Sequence, residues 1–118
     1  MYIDGIILPV PEGNEAAYKE MAARIDPMFI EHGALQVVEG WGDDIARGEH
    51  TDFFKAVAAE EGENVVFSWI LWPSKEARDA GWAKIMEDDR MNNPGEMPFD
   101  GKRMFWGGFD GFLDIKSA

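Results

Sequence analysis

Glu39 and Arg103 each interrupt an apolar, strand-like segment, and strands rarely bury a charge without a partner. Such residues form structural ion pairs, with each other or with Asp100, or they contact a polar ligand group. His32 ends an amphipathic helical stretch, where its cationic form complements the helix dipole and its ring caps the last carbonyls. As a general base it would need a carboxylate or hydroxyl partner in a cleft, which Glu39 and Asp43 on the following strand could supply. Asp43, Asp44, Glu49, His50 and Asp52 gather hard oxygen donors and an imidazole in one stretch. Their spacing matches no EF-hand and contains no HExxH, so the stretch reads as a solvated acidic loop and no metal site is expected. Trp69 and Trp72 sit three apart on a strand and therefore face opposite sides. At most one can wall a given cavity; the other packs under a helix or at an interface. His32, Glu39, Trp69, Trp72 and Arg103 are the candidate ligand contacts. They form no set that identifies a reaction, so no catalytic residue is assigned and no cofactor is expected.

The elements that position these residues follow from hydrophobic periodicity. Asn64 to Pro73 is apolar on both strand faces, the pattern of a strand covered on both sides. Tyr2 to Val10 reads as a first strand stopped by Pro9-Val10-Pro11, with Asp4 and Gly5 interrupting it and Gly5 marking a bulge or close approach. Asn14 is the expected cap of a helix whose face carries Tyr18, Met21, Ile25, Met28 or Phe29, and His32. Pro27 must kink or divide that helix, and Gly33 ends it. Ala34 to Trp41 is the second strand, with Leu35, Val37, Glu39 and Trp41 on one face. A charged loop follows over 42–52. Phe53 to Ala58 reads as a short strand and Glu60 to Asn64 as a hairpin turn. Ser74 caps a second helix running to Glu87, residues 88–98 form a loop, and Lys102 to Ile115 is a last strand with a bulge at Gly107-Gly108. In Trp72 and Trp69, then, the third strand offers one indole to each face.

This order predicts an α+β chain with a ferredoxin-like split βαβ arrangement: an antiparallel sheet with two helices on one face. The 118 residues read as a single domain with a substantial core. Two helices cover one sheet face only, while the third strand is apolar on both, so a homodimer through the open sheet face is expected.

Asp plus Glu outnumber Lys plus Arg by 23 to 11, giving a formal charge of -12. A field of that sign repels phosphate backbones and anionic headgroups, which argues against nucleic-acid and membrane partners. The 46% hydrophobic content argues against disorder. The chain has no cysteine, in keeping with a reducing cytoplasm, and no leader segment or membrane span is expected.

Several segments together resemble the YbaA-like family of small uncharacterised bacterial proteins. They are Tyr2-Ile3-Asp4-Gly5 with Pro9-Val10-Pro11, His32-Gly33-Ala34, Val65 to Trp69, and Met97 to Met104 followed by Gly107-Gly108-Phe109. The resemblance implies a dimeric α+β barrel and no established activity. The wider dimeric-barrel superfamily includes heme-degrading and quinone-forming monooxygenases, whose heme-degrading members use an Asn on strand one, a Trp on strand three and a His on the second helix. Here strand one offers Asp4, strand three offers Trp69 and Trp72, and the second helix has no His, so the axial ligand is missing. The expected role is binding a small, partly apolar molecule between sheet and helices. The alternatives are a cofactor-free monooxygenase-like enzyme on an aromatic substrate and a structural or interaction module with a filled cavity.

Overall fold

The computed structural model describes residues 1–93 and 95–118; Pro94, inside the loop expected at 88–98, lies outside the described residues. Strands β1 (Tyr2–Pro11), β2 (Gln36–Trp41), β3 (Glu63–Trp72) and β4 (Phe105–Asp110) form a four-stranded antiparallel sheet in the order β2-β3-β1-β4. The helices are α1 (Glu15–Ile25), α2 (Pro27–Glu31), α3 (Phe53–Ala56), α4 (Lys75–Ile85) and α5 (Asp89–Asn92).

The two long apolar strands occupy the middle of the sheet, where both edges are hydrogen-bonded and both faces must find cover. Registry puts Asp4 opposite Ile70, Leu8 opposite Val66 and Tyr2 opposite Trp72, so these residues share one face. Val37, Glu39 and Trp41 join it from β2, through their pairing with Ile70, Ser68 and Val66. That face is covered by α1, α2 and α4. Met28 and Phe29 of α2 and Ile85 of α4 pack on Ile70 and Trp72, while Tyr18 and Met21 of α1 pack on Leu8, Val10 and Val66. Burying side chains of this size contributes roughly 1.5–3 kcal/mol each, and these two clusters are the main hydrophobic anchor of the fold.

The other face carries Ile3, Ile7, Val65, Phe67, Trp69, Leu71, Phe105 and Phe109. Here the structure corrects the expected strand at Phe53–Ala58. Asp52 accepts a hydrogen bond from the Lys55 amide and caps a short helix, α3, at Phe53–Ala56. Val57 behind it packs with Ile7 and Val65, and Phe53 lies edge-on to Phe67 at 5.9 Å. One end of this face is therefore covered from within the chain. Phe67, Phe105 and Phe109 remain 43%, 45% and 62% exposed.

Other boundaries also move. β1 runs unbroken through Asp4 and Gly5, with no bulge at Gly5 or at Gly107-Gly108. Gly108 is instead needed for space, because a Cβ there would meet Arg78 Nη2 at 3.0 Å and the Tyr2 side chain closer still. Asn14 does not cap α1; its amide donates to the Pro98 carbonyl at 2.8 Å. Pro27 divides the first helical stretch by serving as the first residue of α2, where its missing N–H is not needed. Residues 60–63 turn from α3 into β3, so no hairpin forms there. The last strand shortens to Phe105–Asp110: Asp100 accepts from the Lys102 amide and opens a 3-10 turn at Gly101–Arg103, and β4 has no partner beyond Tyr2 of β1.

Candidate functional site

Tyr18, Asp26 and Glu39 meet where α1 crosses the β2 edge of the sheet. Tyr18, Ala22 and Asp26 fall at four-residue spacing and so form one stripe of α1 and its end. Glu39 comes up from β2 on the helix-covered face. The Tyr18 hydroxyl donates to Glu39 Oε1. Asp26 is hydrogen-bonded to Glu39, and its carboxyl is pushed up to about 9 by burial first, then by the hydrogen bond and charge of Glu39. Near neutral pH the Asp26 carboxyl therefore keeps its proton. Burial, followed by the Glu39 charge, raises the Tyr18 phenol, which keeps its proton. Tyr18 is itself fixed by rings, Phe99 at 5.8 Å and Trp41 at 6.5 Å.

This group opens onto two hollows. One, of about 720 Å³, is lined by Ala22, Ala23, Pro27, Ile30, Gln36 and Val37 with Asp26, Glu31 and Glu39. The other, of about 210 Å³, lies between Tyr18, Ala22, Glu39, Gly40, Trp41 and Val66, with Lys19 at its side. Carboxyl oxygens at the end of an apolar trough can hold the polar group of a small molecule and can pass it a proton, while the Tyr18 phenol lines the smaller hollow.

A second polar group is buried beneath α4. Asp4 is 2% exposed and accepts from Trp72 Nε1 and Trp82 Nε1, each at 2.9 Å. Arg78 reaches it through Nη2 at 2.8 Å and Nε at 3.1 Å, and this hydrogen bonding holds the guanidinium above its ordinary range. Every donor in the set has an acceptor. The group locks α4 onto β1 and β3, which is how a buried charge is tolerated.

The residues singled out from the sequence fall in separate places. Glu39 is at the trough. Arg103 is not its partner: it forms a two-pronged bond with Glu63, at 2.5 and 2.7 Å, lowering that carboxyl's pKa. Asp100 lies 3.5 Å from Arg103 Nε. His32 closes α2 and lies 3.1 Å from Asp88 Oδ2, away from Glu39 and Asp43. Asp88 is held below the usual carboxylate range chiefly by Arg90, which also reaches Glu31 at 2.5 Å. Trp72 is fully buried on Asp4, while Trp69 is on the opposite face beside Phe67 at 6.0 Å. In the acidic loop, Asp52 accepts from the Gly48 and Lys55 amides. Among the described residues, no three His, Asp or Glu side chains converge as a metal-binding group.

The sequence alone does not mark Tyr18 and Asp26 as site residues. The sequence marks Tyr18 only as part of an apolar helix face, and it is indeed 6% exposed. Asp26 stood before Pro27, where an acid reads as a turn residue; its place on the Tyr18 stripe was the available signal. Arg78 and Trp82 could be linked to Asp4 only once the strand order was known.

The class defined so far is an α+β chain with a four-stranded antiparallel sheet, its helices largely on one face, and a carboxyl-lined trough at the β2 edge. Residues 1–101 match the family described as "Protein of unknown function (DUF1428)", and the chain belongs to that family. It is 55% identical over 114 residues to "Uncharacterized protein YbaA" of Escherichia coli (strain K12), covering 96% of this chain and 97% of that relative. The proteins of the same name from Escherichia coli O157:H7 and Shigella flexneri are similar to the same extent. Among the described residues, no helix is long and apolar enough to cross a membrane.

Proposed function

We propose that this protein is a cytoplasmic homodimer of the ferredoxin-like, dimeric α+β barrel kind that binds a small, partly apolar molecule in the trough along β2. The strand order β2-β3-β1-β4, with α1, α2 and α4 on one face, supports the split βαβ reading. The exposed Phe67, Phe105 and Phe109 on the other face support a second copy as their cover. The absence of cysteine suits a reducing compartment.

The observation that carries the binding reading is the trough itself. Its volume of about 720 Å³ lies within the range of ligand sites, roughly 300–1,000 Å³, and its apolar walls end in the Asp26–Glu39 pair. The site is therefore placed at the margin of the helix layer. The interior between sheet and helices is filled by Trp72, Met28, Ile70 and Ile85. Trp72 consequently forms no ligand wall, and Glu39 is the sequence candidate that remains at the site.

Nitrogen-15 NMR of the full chain, titrated with small aromatic and aliphatic alcohols, amines and acids, tests this reading. The amides of Ala22, Ala23 and Val37 are expected to shift first, and Glu39→Gln to change the preferred polar group. An assigned spectrum with no shifts in the trough across the set overturns it.

The same pair favours a second reading, acid–base catalysis. A carboxyl that keeps its proton at pH 7 can protonate a bound oxygen while its partner accepts a proton elsewhere on the substrate. A turnover that fails above about pH 9, as Asp26 loses its proton, is the expected signature.

A further inference from the structure

The chain beyond β4 forms no strand or helix, yet it carries three large apolar residues that are mostly exposed: Phe112 at 95%, Leu113 at 66% and Ile115 at 83%. Its last tie to the sheet is the Gly111 amide, which donates to the Met1 carbonyl at 3.0 Å. Such an arm, 111–118, gains nothing from these side chains unless they are buried elsewhere.

The matching vacancy is at the opposite edge of the sheet. β2 pairs only with β3, so its outer edge presents unpaired backbone donors and acceptors. Ile30 and Leu35 beside it are 49% and 60% exposed. The trough on its helix side has apolar walls, three carboxyls (Asp26, Glu31 and Glu39) and no basic residue in its lining. Within one copy the arm leaves from β4, three strand spacings or about 14 Å from β2 across the sheet. A second copy can remove that separation: a two-fold axis placed so that one β4 edge meets the other copy's β2 edge satisfies both arms at once.

We infer that in the dimer the arm of one copy lies along the outer edge of β2 of the other as an added strand, closing the trough. The inference rests on the dimer reading given above. Continued extension from β4 keeps Phe112 and Lys116 on the side of Trp106 and Gly108, the helix-covered side, and Leu113 and Ile115 on the other. Phe112 thereby enters the apolar trough, and Lys116 approaches its carboxyls. Lys116 lies 3.4 Å from Asp114 of its own arm and is 77% exposed, so its charge can complement that acidic lining. The partner's arm becomes the outer wall of the site, and a ligand held in an open trough becomes one held in a closed pocket.

Because the chain has no cysteine, engineered pairs report the contact without background. Gln36→Cys is combined with Leu113→Cys or with Ile115→Cys in the full chain, oxidised mildly and run on a non-reducing gel, beside light scattering of the unmodified protein over a dilution series. The expected result is a dimer by scattering and a disulfide-linked dimer from at least one pair. A chain ending at Asp110, checked for folding by circular dichroism, is expected to dimerise at least about tenfold more weakly. An unmodified dimer with no covalent dimer from either pair overturns the arm exchange and leaves the dimer standing. A monomeric unmodified protein removes the dimer reading and the arm with it. If the shortened chain fails to fold, the cysteine pairs still decide.

Discussion

Asp26 gives the molecule a pH dependence whose sign follows from its direction of shift. Its folded-state value of about 9 lies above its ordinary 3.8, so between those values the folded chain binds more protons than the unfolded chain. Its stabilising contribution is complete below about pH 4 and is lost as pH rises through 9. Urea unfolding is expected to show stability falling across that window, by at most about 1.4 kcal/mol per pH unit for one proton. Asp26→Asn should flatten the slope; an identical slope in that variant assigns the proton elsewhere. Asp4 makes the contrasting case. Asp4→Ala strands Arg78 and two indole donors in a buried site, and a loss of about 3–5 kcal/mol is expected in the same assay. Trp82→Phe removes one donor and is expected to cost about 1–3 kcal/mol. Residue chemistry was partly legible beforehand. Glu39 stood out as a charge in an apolar strand, but its partners come from α1 and its end. Asp4 looked like an interruption because its partners Trp72, Arg78 and Trp82 lie far along the chain.

Elements were more legible than partners, because periodicity is local and pairing is not. The faces of β2 and β3 follow from strict alternation, and Ser74 caps α4 as its position suggested, accepting from the Ala77 amide at 3.0 Å. α3 was misread because Phe53, Phe54 and Val57 are apolar enough for a strand, while their helical spacing and the Asp52 cap are short signals. Gly81 supplies a test at this scale. An exposed helix glycine replaced by Ala gains up to about 1 kcal/mol. Here an added Cβ would fall 2.7 Å from the His32 carbonyl and onto the Trp72 ring, where α4 crosses the end of α2. Gly81→Ala is expected to destabilise by about 1–3 kcal/mol in thermal or urea unfolding, and a gain in stability would show that α4 sits farther from α2.

For the whole molecule, charge and the open sheet face act in opposite directions. Each copy carries a formal -12, so the proposed dimer sets charge repulsion against apolar contact between the Phe67, Phe105 and Phe109 faces. Added salt screens the repulsion and leaves the apolar contact intact. Sedimentation equilibrium is therefore expected to show tighter dimerisation in 0.5 M than in 0.05 M sodium chloride, where the Debye lengths are about 4 and about 14 Å. Weaker association at high salt would place ion pairs, not rings, at the seam.

The central position of β1 has a kinetic consequence. Its neighbours are β3 and β4, and the carboxyl of Asp4 finds its donors 68, 74 and 78 residues further along the chain. Contacts at such separation must close large loops before they repay the lost chain entropy, which slows folding. A chain emerging from a ribosome would hold Tyr2–Pro11 without its first strand partner until β3 had been made, and without its second until β4 had been made. During synthesis the strand at the centre of the finished sheet is thus the one that waits longest for its full set of neighbours.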